Sequence, residues 1–254
     1  LGLLSRTKAG GAAVICLKDR NINMLKNDLA LRNPLRLMGT DTDKILSEGA
    51  FGAVLARAGV GKTAMIVQIA LDNLLSGRNV LHISLDEPVH KVTLWYREVF
   101  SFVARQYNVK QASQLWNAVL PHRFIMTFKV DGFSVPRFEE RLTDLTAQNI
   151  FEPRLMIFDG LPFHESVDED LSALKHLCQK RSMSAWFSVT THRHEPPGTG
   201  GLPPQIESVA ELFDVLIQLV PEGRRVHVKA LKGASLGAEQ RKMELDPSTM
   251  LIKS

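Results

Sequence analysis

The chain predicts an α/β fold: a mainly parallel, twisted sheet flanked by helices, with an antiparallel hairpin at its C-terminal edge. Three observations carry that expectation. Between residues 51 and 190 short apolar runs alternate with helical stretches, the order of parallel βαβ units. Residues 155–158 are wholly apolar, as in a strand covered on both faces. Beyond residue 213 the pattern changes to short strands, 214–219 and 225–231, joined by the turn Pro221, Glu222, Gly223.

Each element has a local reason. Residues 51–56 form an apolar strand that runs into a glycine-containing loop. A helix over 63–76 follows, with Gly77 placed to cap its C-terminus. Its apolar residues, Ile66, Ile69, Ala70 and Leu74 among them, are too many for one stripe, so the helix is expected to be buried. A strand over 80–85 leads to a long helix over 88–107. There Trp95, Tyr96, Phe100 and Phe102 read as core or subunit-contact residues. A strand over 123–130 precedes a helix over 138–148, whose start signals are Ser134 and Pro136. A helix over 168–180 and a strand over 185–190 complete the alternation, and 239–245 is a further strand candidate at the C-terminus. Upstream, 12–17 reads as a strand and 21–31 as a helix. Asn33 before Pro34 disfavours helix, which divides a basic segment, 1–33, from a domain over 34–254.

The composition, 44% hydrophobic and 23% charged, excludes a disordered tail, a collagen-like chain and a coiled-coil rod. At 254 residues one core can bury roughly 70–75% of the unfolded chain's surface, with no need for disulfide staples. No apolar run approaches the ~20 residues of a membrane span, so no membrane partner is expected. Cys16 and Cys178 lack metal-ligand spacing and read as reduced thiols of a cytoplasmic protein. The net charge of +4 is unevenly placed. Residues 1–36 carry seven basic side chains against Asp19 and Asp28, leaving a net −1 for the remainder. That basicity reads as a solvated surface, with nucleic acid, an acidic partner or a neighbouring subunit as its alternatives.

The strongest motif is Ala56-Arg57-Ala58-Gly59-Val60-Gly61-Lys62-Thr63. It departs from the phosphate-loop pattern GxxxxGK[ST] only at Ala56, and it sits between a strand and a helix as the pattern requires. Glycine at 59 and 61 lets backbone amides curl around a phosphate, and the helix start adds its positive end. The expected nucleotide-binding set is Ala58, Gly59, Val60, Gly61, Lys62, Thr63 and Ala64. Lys62 reaches the β- and γ-phosphates, and Thr63 ligates Mg²⁺. If position 56 needs φ > 0, its methyl group costs about 1–2 kcal/mol. Asp159, at the carboxyl end of the apolar run 155–158, is the expected second magnesium holder. Asp159 is followed by Gly160, not by a glutamate, so a carboxylate that activates water must come from elsewhere. Asp86 and Glu87, ending the strand over 80–85, are the candidates.

With these motifs the chain resembles the RecA-like ATPases, in particular the KaiC and RadA-type branch, over roughly residues 34–254. Asn33-Pro34-Leu35 and residues 39–46 are similar to that branch's entry segment, and Ile83-Ser84-Leu85-Asp86-Glu87 to its acidic strand end. The resemblance implies ATP and Mg²⁺ as ligands and a homo-oligomeric ring or filament. It implies a γ-phosphate sensor at Ser188-Val189-Thr190-Thr191-His192, with His192 sensing the terminal phosphate. It also implies a hairpin residue, Lys232, that reaches a neighbouring subunit's nucleotide. Where the family has Lys-x-Arg, this chain has Ala230 and Lys232, and a lysine lacks the planar fork of arginine.

The chain therefore reads as an ATP-binding, Mg-dependent ATP-hydrolysing domain acting in an oligomer, with Asp86, Glu87 and Lys62 as catalytic candidates. Two other readings stand beside it. One is a nucleotide-gated regulatory module with little turnover, towards which Ala56, Asp86 and Lys232 lean. The other is a recombinase-like ATPase on single-stranded DNA. For that, the loop over 193–205 supplies Arg193 and His194 but no aromatic residue for base stacking.

Overall fold

The computed structural model describes residues 46–163, 167–192, 198, 201–233, 243–249 and 251–253. The basic segment 1–33 with its expected strand and helix, the division at Pro34, and the entry segment as far as residue 45 lie outside the described residues, as does most of the 193–205 loop.

Strands β1 (Phe51–Ala56), β2 (Val80–Ser84), β3 (Arg123–Thr127), β4 (Leu155–Asp159) and β5 (Ser184–Thr190) are followed by β6 (Val215–Glu222), β7 (Arg225–Lys232), β8 (Glu244–Leu245) and β9 (Ile252–Lys253). They form one mixed sheet in the order 3-2-4-5-1-6-7-8-9. Pairing is parallel from β3 across to β6 and antiparallel from β6 to β9. The turn of the expected hairpin sits later than the sequence suggests. Pro221 and Glu222 belong to β6, Glu222 pairs with Arg225, and Gly223 and Arg224 make the loop. Gly223 has φ 61°, the left-handed geometry that a two-residue hairpin loop asks of its first residue.

Helices α1 (Lys62–Leu75), α2 (Val89–Gln106), α3 (Ala112–Val119), α4 (Val135–Ala147), α5 (Val167–Lys180) and the single turn α6 (Pro204–Glu207) pack on the sheet. One hydrophobic core joins α1, α2 and α3 to Val54, Val80, Ile157 and Trp186 on one sheet face. The other joins α4 and α5 to Phe51, Leu81, Phe158 and Phe187 on the opposite face. Alternate residues of each central strand thus enter different cores, as the pleat dictates. In α1 only Lys62, Thr63 and Asn73 escape burial, in keeping with its broad apolar pattern. In α2 one stripe is buried, Val92, Tyr96, Val99, Phe100 and Ala104, whereas Trp95 remains 37% exposed. Cys178 is a free, buried thiol, and burial pushes it up to about 12 with the Lys175 charge opposing. Among the described residues no helix is long and apolar enough to cross a membrane.

Four helices end in the same backbone closure. After α1, Gly77 N–H donates to the Leu74 carbonyl and Arg78 N–H to that of Asn73, the paired bonds of a Schellman motif. The equivalent bonds close α2 at Asn108 and Val109, α4 at Asn149 and Ile150, and α5 at Ser182 and Met183. The pivot residue has positive φ each time: Gly77 74°, Asn108 52°, Asn149 54° and Ser182 52°. Glycine adopts this conformation freely and asparagine tolerates it, but serine pays a steric cost there.

Two substitutions test this packing by chemical denaturation. Ser182→Gly, which relieves the left-handed strain, is expected to stabilise the protein by about 1 kcal/mol. Gly52 in β1 lies beneath the Trp186 indole, and a Cβ there would stand 2.7 Å from the ring. Gly52→Val therefore forces that core apart and is expected to cost about 1–3 kcal/mol.

Candidate functional site

Everything that the motifs single out near residue 59 gathers at the carboxyl ends of the parallel strands. β1 ends at Ala56, and the chain turns through residues 57–61 into α1. The turn needs two left-handed residues, Gly59 at φ 76° and Gly61 at φ 105°, the latter being the residue on which α1 starts. Ala56 is not among the positive-φ residues and is 1% exposed, so its methyl group is buried without backbone strain. A side chain built on Gly59 would meet nothing within 4 Å, so this glycine is required by its φ and not by crowding. Val60 N–H donates to the Arg57 carbonyl at 3.3 Å, which tightens the loop. The amides of Ala58, Gly59, Gly61, Lys62 and Thr63 have no acceptor among the described residues. They form a run of donors at the positive end of a helix.

Around this loop stand one cation and two carboxylates. Lys62 Nζ donates to the carbonyls of Ala56 at 3.2 Å and Arg57 at 3.4 Å, folding over the end of β1. Burial lowers its pKa, and the charges of Asp159 and Asp86 oppose that shift. Asp159 ends β4, with β5 lying between β4 and β1. The Ser188 hydroxyl of β5 donates to Asp159 Oδ1 at 2.5 Å and accepts the Gly160 N–H at 3.1 Å. Burial raises the Asp159 pKa most, and the Glu87 charge adds a little to that. Hydrogen bonds from Ser188 and Thr63 and the Lys62 charge hold the shift back. Thr63, at the start of α1, thus stands close enough to Asp159, at the end of β4, for its hydroxyl to favour the charged carboxylate.

Asp86 completes the group. Ser84 shapes the turn after β2: its hydroxyl donates to the Glu87 carbonyl at 2.8 Å and accepts the Glu87 N–H at 3.0 Å. The turn sends the two acids in different directions. Glu87 pairs with Lys91 at 2.9 Å at the exposed start of α2. Asp86 lies against Gly160, so closely that any Cβ there would collide with its carboxylate. Gly160 itself has φ 88°. A glutamate after Asp159 is thus disfavoured by the backbone, and its Cβ could enter only if the Asp86 carboxylate moved aside. Burial raises the Asp86 pKa, the charges of Asp159 and Glu87 add to that, and Lys62 opposes it.

Two expected site residues lie further out. His192 is exposed just past the end of β5. Its neighbour Thr191 donates its N–H to the Ala56 carbonyl at 3.0 Å, which holds this segment beside the loop. Lys232 is not at the loop of its own chain. It registers with Leu216 of β6, which in turn flanks Ala53 near the amino end of β1. There Lys232 Nζ donates to the Ala210 carbonyl at 3.0 Å and lies 3.6 Å from Glu211. Ser188, which the resemblance puts in the sensor strand, contacts Asp159 itself, and Gly160, noted in the sequence only as not being a glutamate, makes room for Asp86. The signal for the Ser188 contact was a small hydroxyl set among Trp186, Phe187 and Val189. That for Gly160 was a glycine immediately after a strand-end acid.

No protein-family model matches the chain, and none of the curated proteins does.

The raised pKa of Asp86 makes a pH-dependent prediction. Its surroundings disfavour the charged form even after attraction to Lys62, so the native protein holds this proton more tightly than the unfolded chain. Stability from this group is present at low pH and is lost as pH rises from the ordinary carboxylate value through the raised one. Asp86→Asn should accordingly raise the melting temperature near pH 7, measured without nucleotide, and flatten the acid-side slope of stability against pH. A lower melting temperature near pH 7 would contradict this account.

Proposed function

We propose that the chain is an ATP-binding, magnesium-dependent ATPase domain of RecA-like type that works as a homo-oligomer. The observation that carries this reading is the loop with Gly59 and Gly61 in left-handed geometry. Its unbonded amides share one strand-end crevice with Lys62, Thr63, Asp159 and Asp86. Such a crevice, outside the carboxyl ends of parallel strands, is where open α/β sheets bind ligands.

The residues fit a triphosphate chelated to magnesium. The amides of residues 58–63, with Ala64 in the first turn of α1, would wrap the phosphate chain, and Lys62 would leave the strand-end carbonyls for the terminal phosphates. Thr63 and Asp159 would hold the metal, which neutralises phosphate charge when bound. Ser188 keeps one Asp159 oxygen occupied and thereby fixes the direction of the other. Asp86 would orient the attacking water and accept its proton. Its upward-shifted pKa suits a general base better than that of an ordinary carboxylate. Glu87 is better suited to holding the turn through Lys91. His192, beside the loop, is suited to report on the terminal phosphate.

A second reading, a nucleotide-gated module with little turnover, is favoured by one observation. Lys232 is engaged with Ala210 and Glu211 of its own chain, at the far end of β1 from the loop. A cation from β7 could serve a triphosphate only in a neighbouring copy, and only after releasing these contacts.

Calorimetry with ATP and Mg²⁺ tests the binding, and phosphate release tests the turnover. Lys62→Ala should weaken binding roughly 10- to 100-fold, as expected for loss of a charge-assisted hydrogen bond. Asp86→Asn should leave affinity near that of the wild type and reduce turnover by about 10²- to 10⁴-fold. No nucleotide uptake by the wild-type chain at millimolar concentration would overturn the proposal. Binding without turnover that Lys62→Ala can lower would establish the second reading instead.

A further inference from the structure

Away from the strand-end crevice, α2 and α3 diverge from the turn at Asn108 and enclose an open cleft of about 690 Å³. Phe100, Ala104, Ala112 and Trp116 lie along its floor. Arg97, Arg105 and Lys110 stand on its rim, and none of its twelve lining residues is acidic. Among the described residues these three cations have no carboxylate partner. The Arg105 guanidinium rests 4.8 Å from the Phe102 ring centroid, and its Nε donates to the Ser101 carbonyl.

We propose that this cleft docks an acidic amphipathic helix of a partner protein. The α2 stripe that lines it runs from Arg97 to Arg105, about 12 Å of helix, or a little over two turns. Small residues at Ser101, Ala104, Ala112 and Ser113 keep the valley between the two helices open. A third helix laid in that valley would place its apolar stripe on the half-buried Val109, Ala112 and Trp116 and its carboxylates against the unpaired cations, the helix-in-groove mode of recognition. The N-terminal segment of the chain is the wrong occupant, because residues 1–36 carry a net +5 and would be repelled by the rim. Single-stranded nucleic acid would match the rim charge but needs an open aromatic face. Here the Trp116 ring already packs against Phe100 at 5.1 Å and the Arg123 guanidinium at 5.7 Å.

The test uses the full chain and a labelled synthetic helix of ~14 residues, with Leu at i, i+3, i+4 and i+7 and Glu at most other positions. A control peptide has the same composition with the Leu stripe scrambled. Fluorescence anisotropy should show micromolar binding of the first peptide, weakening with salt. Arg105→Glu with Lys110→Glu, and separately the groove-filling Ser101→Trp, should each weaken it at least about 10-fold. All three positions are exposed, and unchanged melting temperatures would show that the variants fold. Lys62→Ala should bind the peptide like the wild type, which separates this proposal from the nucleotide site. Absence of binding at about 100 µM peptide would overturn it. So would equal affinity for the scrambled control, indifference to the cleft variants, or tighter binding of oligo-dT that the same variants abolish.

Discussion

The buried carboxylate of Asp159 is the constraint around which the crevice is organised. A charged group at the end of a central strand is disfavoured by desolvation unless partners surround it. Two elements supply them: β5 brings the Ser188 hydroxyl, and the start of α1 brings Thr63 and Lys62. This arrangement depends on strand order. With β5 inserted between β1 and β4, the loop after β1 and the acid after β4 face each other across one strand, and the Ser188 side chain of that strand holds the acid. The 2.5 Å contact from Ser188 has the length of a charge-assisted O–H···O bond, shorter than a bond between neutral groups.

Asp86 and Gly160 show the same economy of space. Asp159 and Asp86 repel each other, and both are pushed towards the neutral form by burial. Lys62 lies between two conflicting demands, because its own burial lowers its pKa while the two acids raise it. Two acids and one lysine leave an excess of negative charge. A cation would relieve that excess, which is the electrostatic case for a metal at this point.

Much of this was legible in the sequence, and the reasons differ by element. The central strands are apolar runs bounded by breakers, so Phe51–Ala56 and Leu155–Asp159 are readable almost to the residue. The glycine loop is readable because its backbone geometry demands particular residues. Helix ends were harder. Gly77 signals its closure, whereas Asn108, Asn149 and Ser182 adopt the same left-handed pivot without that signal. The short α3, Ala112–Val119, went unseen because eight residues give too few periods for an apolar stripe to stand out. The choice between Asp86 and Glu87 could not be made from adjacency. It depends on the turn that Ser84 forms with Glu87 and on the space left beside Gly160. Lys232 illustrates the opposite case. The hairpin was foreseen, but only strand register reveals that the lysine stands near the amino end of β1, away from the loop of its own chain.

The far edge of the sheet is nonetheless tied to the loop through α1. Gln68, two turns beyond Lys62 and 5% exposed, accepts the Ile252 N–H of β9 at 3.1 Å through its side-chain oxygen. Its amide nitrogen donates to the Ala64 carbonyl at 3.3 Å, inside the first turn of the same helix. One side chain thus joins the segment that starts at Lys62 to the last strand of the antiparallel edge. A buried amide engaged at both ends resists sliding, because either bond would have to be broken or replaced. Any displacement of α1 that accompanies movement of Lys62 must therefore either break this link or carry β9 along. Since β9 pairs with β8, and β8 with β7, the path leads on to the hairpin that bears Lys232.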